Sequence, residues 1–209
     1  MKDKTVHAWA QELAAKDGKY GGGSAASVVG AYASSLAQFV FELQQGKEKY
    51  IEQEEQIQKA IQKAENLTEE LLDLAEIDAD AFEPVLDLFK LPQTTTEEKA
   101  YRRKKVDQGL ADAAKPPFDI MKKMGDVLDL FEKLLEIKVR GTIVDDIAVG
   151  LFFTEATIES EKINCMVNIK LIKNEELKQE MTQEVDKVYE QIIQRTRVLK
   201  QEALEIINH

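Results

Sequence analysis

From Ala25 to Phe41 the chain carries no charged residue, and Ala, Ser, Gly and Val fill most of its positions. A helix apolar on every side has to be buried on every side. Residues 24–45, uncharged until Glu42, are therefore predicted to form the central helix of a bundle. Ala26, Ser27, Gly30, Ala33 and Ala37 are small enough for its neighbours to approach closely. The stretch is preceded by Tyr20-Gly21-Gly22-Gly23-Ser24. Glycines admit positive φ and close approach of backbone to a ligand. Ser24 is placed as an N-cap, which would leave first-turn N–H groups of Gly22, Gly23 and Ser24 pointing outward as donors for anions and polarised oxygens. The same residues also suit a tight turn into a buried helix, and the loop alone does not separate the two uses. No Gly-Lys-Ser/Thr follows, which excludes a P-loop, and no strand-like run precedes, which excludes a dinucleotide fingerprint.

The remaining sequence fits helices around that centre. Residues 5–15 repeat apolar positions at spacings of three and four. A long stripe runs from Lys47 to Phe89 through Ile57, Ile61, Leu67, Leu71 and Val85. Helices are expected over 97 to about 114, from Pro117 to Ile137, and over about 146–164 and 170–207. Asn164–Ile172 is β-like in composition, but a lone strand builds no sheet, so it reads as helix or as a short joint. Four prolines among 209 residues, with Lys, Glu, Gln, Ala and Leu dominant, give an all-α profile. The expected fold is an all-α antiparallel helix bundle, a single domain over residues 1–209, with the small-residue helix buried at its centre.

Composition also limits function. A formal charge of -11 disfavours a nucleic-acid partner, which needs a basic surface. The lone Cys165 forms no internal disulfide and suits a reducing compartment. The N-terminal residues lack the apolar segment of a signal peptide. The uncharged helix is too rich in serine to make a good membrane span, so no membrane association and a cytoplasmic location are expected. Two histidines and one cysteine offer no standard zinc spacing, so no metal is expected. His7, His209 and Cys165 make poor candidates for a nucleophilic triad, and any chemistry must rest on carboxylates, lysines, amides and helix ends. Asp78, in Asp78-Ala79-Asp80-Ala81-Phe82, falls four residues from both Leu74 and Phe82, on an apolar stripe where a carboxylate needs a partner. Asp145-Asp146 precedes the apolar run Ile147–Phe153, where one aspartate would also serve as a helix cap. Asn164 and Asn168 are four apart and share one helical face; such amides bind a polar heterocycle or satisfy backbone groups.

The order of these features is more specific than any one of them. Gly21-Gly22-Gly23-Ser24-Ala25-Ala26 is followed by Gly46-Lys47-Glu48-Lys49-Tyr50, then by Asp78-Ala79-Asp80-Ala81-Phe82 and Leu91-Pro92. Thr96-Glu97-Glu98-Lys99 before Arg102, Pro116-Pro117, Asp146 with Ala148, and Asn164 through Asn168 complete the series. Over roughly residues 5–180 it resembles the cyclodeaminase/cyclohydrolase family: the cyclodeaminase domain of formiminotransferase-cyclodeaminase and the methenyltetrahydrofolate cyclohydrolases. The resemblance implies an all-helical homodimer, a tetrahydrofolate one-carbon derivative as substrate, and no cofactor or metal. It implies either closure of 5-formiminotetrahydrofolate to 5,10-methenyltetrahydrofolate with loss of ammonia, or hydration of the methenyl group to 10-formyltetrahydrofolate. Asp78 and Asp146 are then the expected base or cation stabilisers. Gly21, Gly22, Gly23, Ser24, Asn164 and Asn168 would bind substrate, with Lys49 and Arg102 on its carboxylates.

The chain departs from the family pattern at Tyr20, where proline is usual, at Glu42 in place of an asparagine, and over Val139–Asp145, where Asp145 takes a serine's place. Extra acids would raise the pKa of carboxylates sharing their cleft. A folate-binding relative without catalysis is the alternative these departures raise.

Overall fold

The computed structural model describes residues 2–208. His209 lies outside them. Eight α-helices follow in order among the described residues: α1 (Val6–Ala14), α2 (Gly22–Gln44), α3 (Glu54–Ala81), α4 (Glu83–Phe89), α5 (Thr96–Ala113), α6 (Lys115–Glu136), α7 (Val144–Leu171) and α8 (Glu175–Asn208), with a 3₁₀ turn at Glu48–Gln53. The α2 helix lies at the centre, against α3, α6 and α7. Its length and composition alone would suit a membrane span, but most of it is buried among its neighbours. The expected reason holds: a Cβ on Gly30 would come within 2.9 Å of Met124 Sδ and 3.3 Å of Thr157 Cγ2, so the missing side chain sets how closely α2, α6 and α7 pack. Ser27 and Ser34 donate to the carbonyls of Leu71 (2.6 Å) and Ala64 (2.9 Å) on α3, which satisfies hydroxyls that have no access to water.

One large apolar cluster joins α2, α3, α6, α7 and α8, and a smaller one lies under α4 and α5 around Val85 and Leu110. The α8 helix is held to its neighbours by Lys162 with Asp186, Lys200 with Glu155, and Arg195 with Glu132 and Asp129.

Several boundaries differ from expectation, each for a local reason. The stripe from Lys47 to Phe89 is broken twice: a 3₁₀ turn precedes α3, and Phe82 separates α3 from α4, with Pro84 in the first turn of α4. Pro116 and Pro117 fall inside the first turn of α6, which begins at Lys115, where missing N–H groups cost nothing. The helix expected from 97 begins at Thr96; Thr95 caps it, and with Glu98 makes a full capping box (Glu98 N–H to Thr95 Oγ1, 3.1 Å; Thr95 N–H to Glu98 Oε2, 3.0 Å). Asn164–Leu171 is helical and continues α7 without a joint.

Candidate functional site

The α2 helix starts one turn earlier than the cap assignment to Ser24 required. Gly21 is the N-cap, in an extended conformation, and has no side chain with which to cap. A residue from another helix supplies the missing acceptor. Asp78, near the C-terminal end of α3, accepts the Ser24 hydroxyl at 3.1 Å and also the Ser24 backbone N–H. A Cβ on Gly23 would lie 2.5 Å from both oxygens of Asp78, so this carboxylate can enter the helix tip only because position 23 is glycine. Asp78 is half-buried. Desolvation raises its pKa above the usual aspartate value, while the Ser24 hydroxyl and N–H pull the other way.

The third wall is α7, which runs antiparallel to α2. Thr157 Oγ1 donates to the Ala26 carbonyl at 3.1 Å, and one to two turns further on Asn164 reaches the tip. A Cβ on Gly22 would lie 3.6 Å from Asn164 Oδ1. The other end of that amide, Nδ2, donates at 3.1 Å to Oε2 of Glu161. Glu161 has no solvent exposure, and its Oε1 has no hydrogen-bond partner. Burial pushes its pKa up to about 9, opposed by the Asn164 bond and reinforced by the charge of Asp78. The tip thus brings together backbone donors, a half-buried carboxyl whose proton affinity is raised, an amide oxygen and a fully buried carboxyl whose pKa is pushed up to about 9. Two acids held apart in proton affinity are the usual basis of acid–base division.

Glu161 escaped the sequence reading. The signal was present: Thr154, Thr157, Glu161, Asn164 and Asn168 fall at spacings of three and four, so the polar stripe seen in the two asparagines extends back along α7.

Asn168 is placed differently from Asn164. Its Nδ2 donates to the carbonyls of Ala113 (3.3 Å) and Asn164 (3.2 Å). Pro117 has no N–H to offer Ala113 in the turn where α5 meets α6, and Asn168 fills that place. Its amide protons are committed to backbone. Cys165 is fully buried, with Sγ 3.8 Å from the Ala114 carbonyl, as a small apolar residue would be.

The other expected site residues lie apart from the tip. Asp146 is separated from Glu161 by 15 positions of one continuous helix, about 22 Å along the axis at the α-helical rise. Neither aspartate of the pair caps α7. The N-cap is Ile143, and Asp145 Oδ1 instead accepts the Asp146 N–H at 2.9 Å. The pKa of Asp146 is raised by desolvation and then by the neighbouring Asp145 charge, so the acid standing in the serine's place does act on it. Lys49 is at this far end too, donating to Tyr50 Oη (3.0 Å) and the Lys138 carbonyl (3.3 Å). Arg102 donates through Nε and Nη2 to the Phe89 carbonyl (3.3 and 3.0 Å), closing the C-terminal end of α4. It also lines a cavity of about 540 Å³ with Lys99, Arg103, Lys173, Phe89 and Leu171. Leu171 follows Asn164 by seven positions, so this basic cavity opens about 10 Å along α7 from the tip.

Tyr20, the departure before the glycines, is buried. Its hydroxyl donates to Glu76 Oε1 (2.8 Å) and accepts from Lys4 Nζ (3.1 Å), and its ring lies 5.9 Å from that of Trp9. It ties α1 to α3 beside the tip and leaves the tip's own geometry intact. Among the described residues no group of three or more His, Cys, Asp or Glu side chains is arranged to hold a metal ion.

The chain is similar to known proteins over most of its length. A methenyltetrahydrofolate cyclohydrolase of Methylorubrum extorquens is 30% identical over 184 residues, 88% of each chain. The formimidoyltransferase-cyclodeaminase of Gallus gallus is 26% identical over 190 residues, which are 90% of this chain and 35% of that one; the chain spans about a third of that relative's length. A crystal structure of formiminotetrahydrofolate cyclodeaminase from Thermotoga maritima superposes with a TM-score of 0.79, at 26% identity, over 97% of this chain and 98% of the other. The model of one family, formiminotransferase-cyclodeaminase, matches residues 5–187, and the chain belongs to that family.

Proposed function

We propose that this chain is a formiminotetrahydrofolate cyclodeaminase. The observation that carries the reading is Asp78 set into the tip of α2, with a raised proton affinity and with the Ser24 hydroxyl at 3.1 Å. In the reaction N10 of the folate attacks the formimino carbon on N5. A carbon bonded to both ring nitrogens and to an amino group forms, N10 loses its proton, and the amino group must gain one before it leaves as ammonia. The charge of the protonated formimino substrate then resides on the methenyl product. Asp78 takes the N10 proton and returns it to the departing nitrogen, a shuttle helped by a carboxylate whose proton affinity burial has raised. The N–H groups of Gly22 and Gly23 and Asn164 Oδ1 supply a donor and an acceptor surface for the pterin, while Ser24, fully buried, gives both its hydroxyl and its N–H to Asp78. The cavity of Arg102, Lys99 and Lys173 receives the glutamate carboxylates.

A second reading is supported by the relative from Methylorubrum extorquens, which matches over 88% of both chains. The same aspartate would deprotonate water attacking the methenyl carbon, giving 10-formyltetrahydrofolate. Neither reaction calls for a cofactor or metal, and neither involves nucleic acid or a membrane. The protein would work in the cytoplasm.

The role expected of Asp146 is met if the site is shared between two copies. Tyr32, Phe39 and Leu43 on α2, with Phe152, Ile163 and Val167 on α7, are exposed large apolar residues. Helical position puts both stripes on the same side of the antiparallel α2–α7 pair. A two-fold axis through the middle of that face, perpendicular to the helices, would set the acidic tip of one copy against the end of its partner that carries Lys49, Lys138 and Arg140 beside Asp146.

Methenyl absorbance tests these readings. It rises with formiminotetrahydrofolate if the protein is a deaminase and falls with the methenyl substrate if it is a hydrolase. No change with either substrate at micromolar protein, with tetrahydrofolate binding retained by calorimetry, would leave the non-catalytic relative.

A further inference from the structure

Glu161 is a costly residue at a position where a leucine would pack. It is completely buried, half of its carboxyl has no hydrogen-bond partner, and its one bond goes to the side chain that overhangs the glycine tip. An Asn amide can present either end to a ligand. Here Nδ2 is engaged beneath the surface by Glu161 Oε2 at 3.1 Å, which leaves Oδ1 towards Gly22. We propose that Glu161 is a positioning residue: it holds the Asn164 amide in one orientation, so that the tip presents a single acceptor beside the N–H groups of Gly22 and Gly23 and selects ligands whose edge offers N–H next to C=O.

The surroundings agree with this role. The charge of Asp78 on α3 acts on Glu161, and Glu161, Lys162 and, more weakly, Asp119 on α6 and Asp78 act on Cys165, one turn along α7. With acids on two neighbouring helices, a charged Glu161 would add a second negative charge beside Asp78. As a neutral acid it accepts the Asn164 proton and leaves Asp78 free to ionise. The pterin of the proposed substrate has the required edge, and the identification of that ligand rests on the folate reading. The orientation of Asn164 does not.

The experiment has one arm that needs no ligand and one that does. In the ligand-free protein, the Asn164 side-chain amide protons should exchange slowly in nitrogen-15 NMR. They should stay protected in Glu161→Gln, whose carbonyl accepts the same bond, and lose protection in Glu161→Leu. In kinetics, Glu161→Leu should raise KM for the folate substrate about tenfold, the size of one lost hydrogen bond, with a smaller change in kcat, and Glu161→Gln should recover most of the loss. In an Asn164→Ala background, Glu161→Leu should change KM by less than about twofold, because its effect passes through Asn164. An additive loss in that background would mean that Glu161 only supports the fold, and would overturn the proposal. Unprotected Asn164 protons in the wild type would overturn it regardless of substrate. Protected protons in a protein that neither binds nor converts folates would uphold the orientation and sink the folate reading instead.

Discussion

Glu161→Gln should stabilise the protein, and the gain should grow with pH. The carboxyl of Glu161 has a pKa of about 9 in the folded chain against an ordinary value of 4.5. Between those values the unfolded chain has released a proton that the folded chain still binds. Folding stability therefore falls as pH rises from about 4.5 towards 9, because the native state binds the extra proton. At about 1.4 kcal/mol per pH unit, the burial of this one acid costs about 3 kcal/mol at neutral pH. The amide has no such proton to lose. It keeps the carbonyl that accepts Asn164 Nδ2, and its NH2 group falls where Oε1 already lacks a partner, so no bond present in the wild type is given up. Urea unfolding at fixed protein concentration, at about pH 5.5 and about pH 8.5, gives the difference between the two proteins at each pH. Groups that titrate alike in both cancel. The difference should widen by about 4 kcal/mol over that interval, as three pH units of linkage require. A difference independent of pH would show that Glu161 is ionised in the folded protein, and would refute the account of a neutral buried acid.

Other substitutions test the remaining geometry. Asp78→Asn should reduce turnover about a hundredfold by removing the proton shuttle, with a Tm change of only a few degrees, read by methenyl absorbance and calorimetry. In the wild type kcat/KM should fall as pH drops through the raised pKa of Asp78, since the base must be ionised, and that acid limb should be absent from the residual activity of the Asn variant. Gly23→Ala puts a methyl group 2.5 Å from both Asp78 oxygens, so it should displace the carboxylate and lower kcat at least tenfold, with helicity by circular dichroism unchanged. Phe152→Glu, on the exposed α7 stripe, should give monomers in sedimentation and lose activity; active monomers would exclude a site shared across two copies.

The helices themselves were legible because periodicity and small residues act locally. The uncharged run around Ala31 and Ala33 could only be a buried helix, and it is one. Boundaries were misread where a distant group decides them. Ser24 was assigned the cap of α2 because serine is a good capping residue, but the acceptor comes from Asp78, 54 positions away, and no local rule anticipates it. Asn168 matched the site's spacing, yet its protons are drawn to a carbonyl left open by Pro117, a partner found only once α5 and α7 meet. Glu161 was passed over because an acid among charged neighbours such as Glu159 and Lys162 looks solvated until the face of α7 that meets α2 is known. Asp146 was legible as a perturbed acid, and the expected helix over about 146–164 already held it far from Asn164; what no local pattern told was that Asp78 meets the Asn164 end of that helix and not the Asp146 end.

Cross-helix capping also links stability to the proposed chemistry. Asp78 is at once the acceptor that closes α2 and the base of the reaction, so each time it takes a proton one of its bonds to Ser24 must weaken or reverse. A hydroxyl can do this without leaving: Ser24 Oγ donates to the carboxylate and can turn to accept from the protonated acid, whereas a backbone N–H can only donate. A conventional side-chain cap at position 21 would have satisfied the helix end at less risk, but would have filled the space in which the ligand's oxygens must meet the N–H row. Glycine at 21 and 22 leaves the tip open, glycine at 23 admits Asp78, and Ser24 lets the borrowed cap change its protonation state without the helix fraying. Ser24→Ala therefore tests the coupling: the helix should keep its backbone bond to Asp78, while kcat falls more than KM rises, because the loss is felt when the acid is protonated. An equal effect on binding alone would place Ser24 in substrate recognition and separate it from the proton transfer.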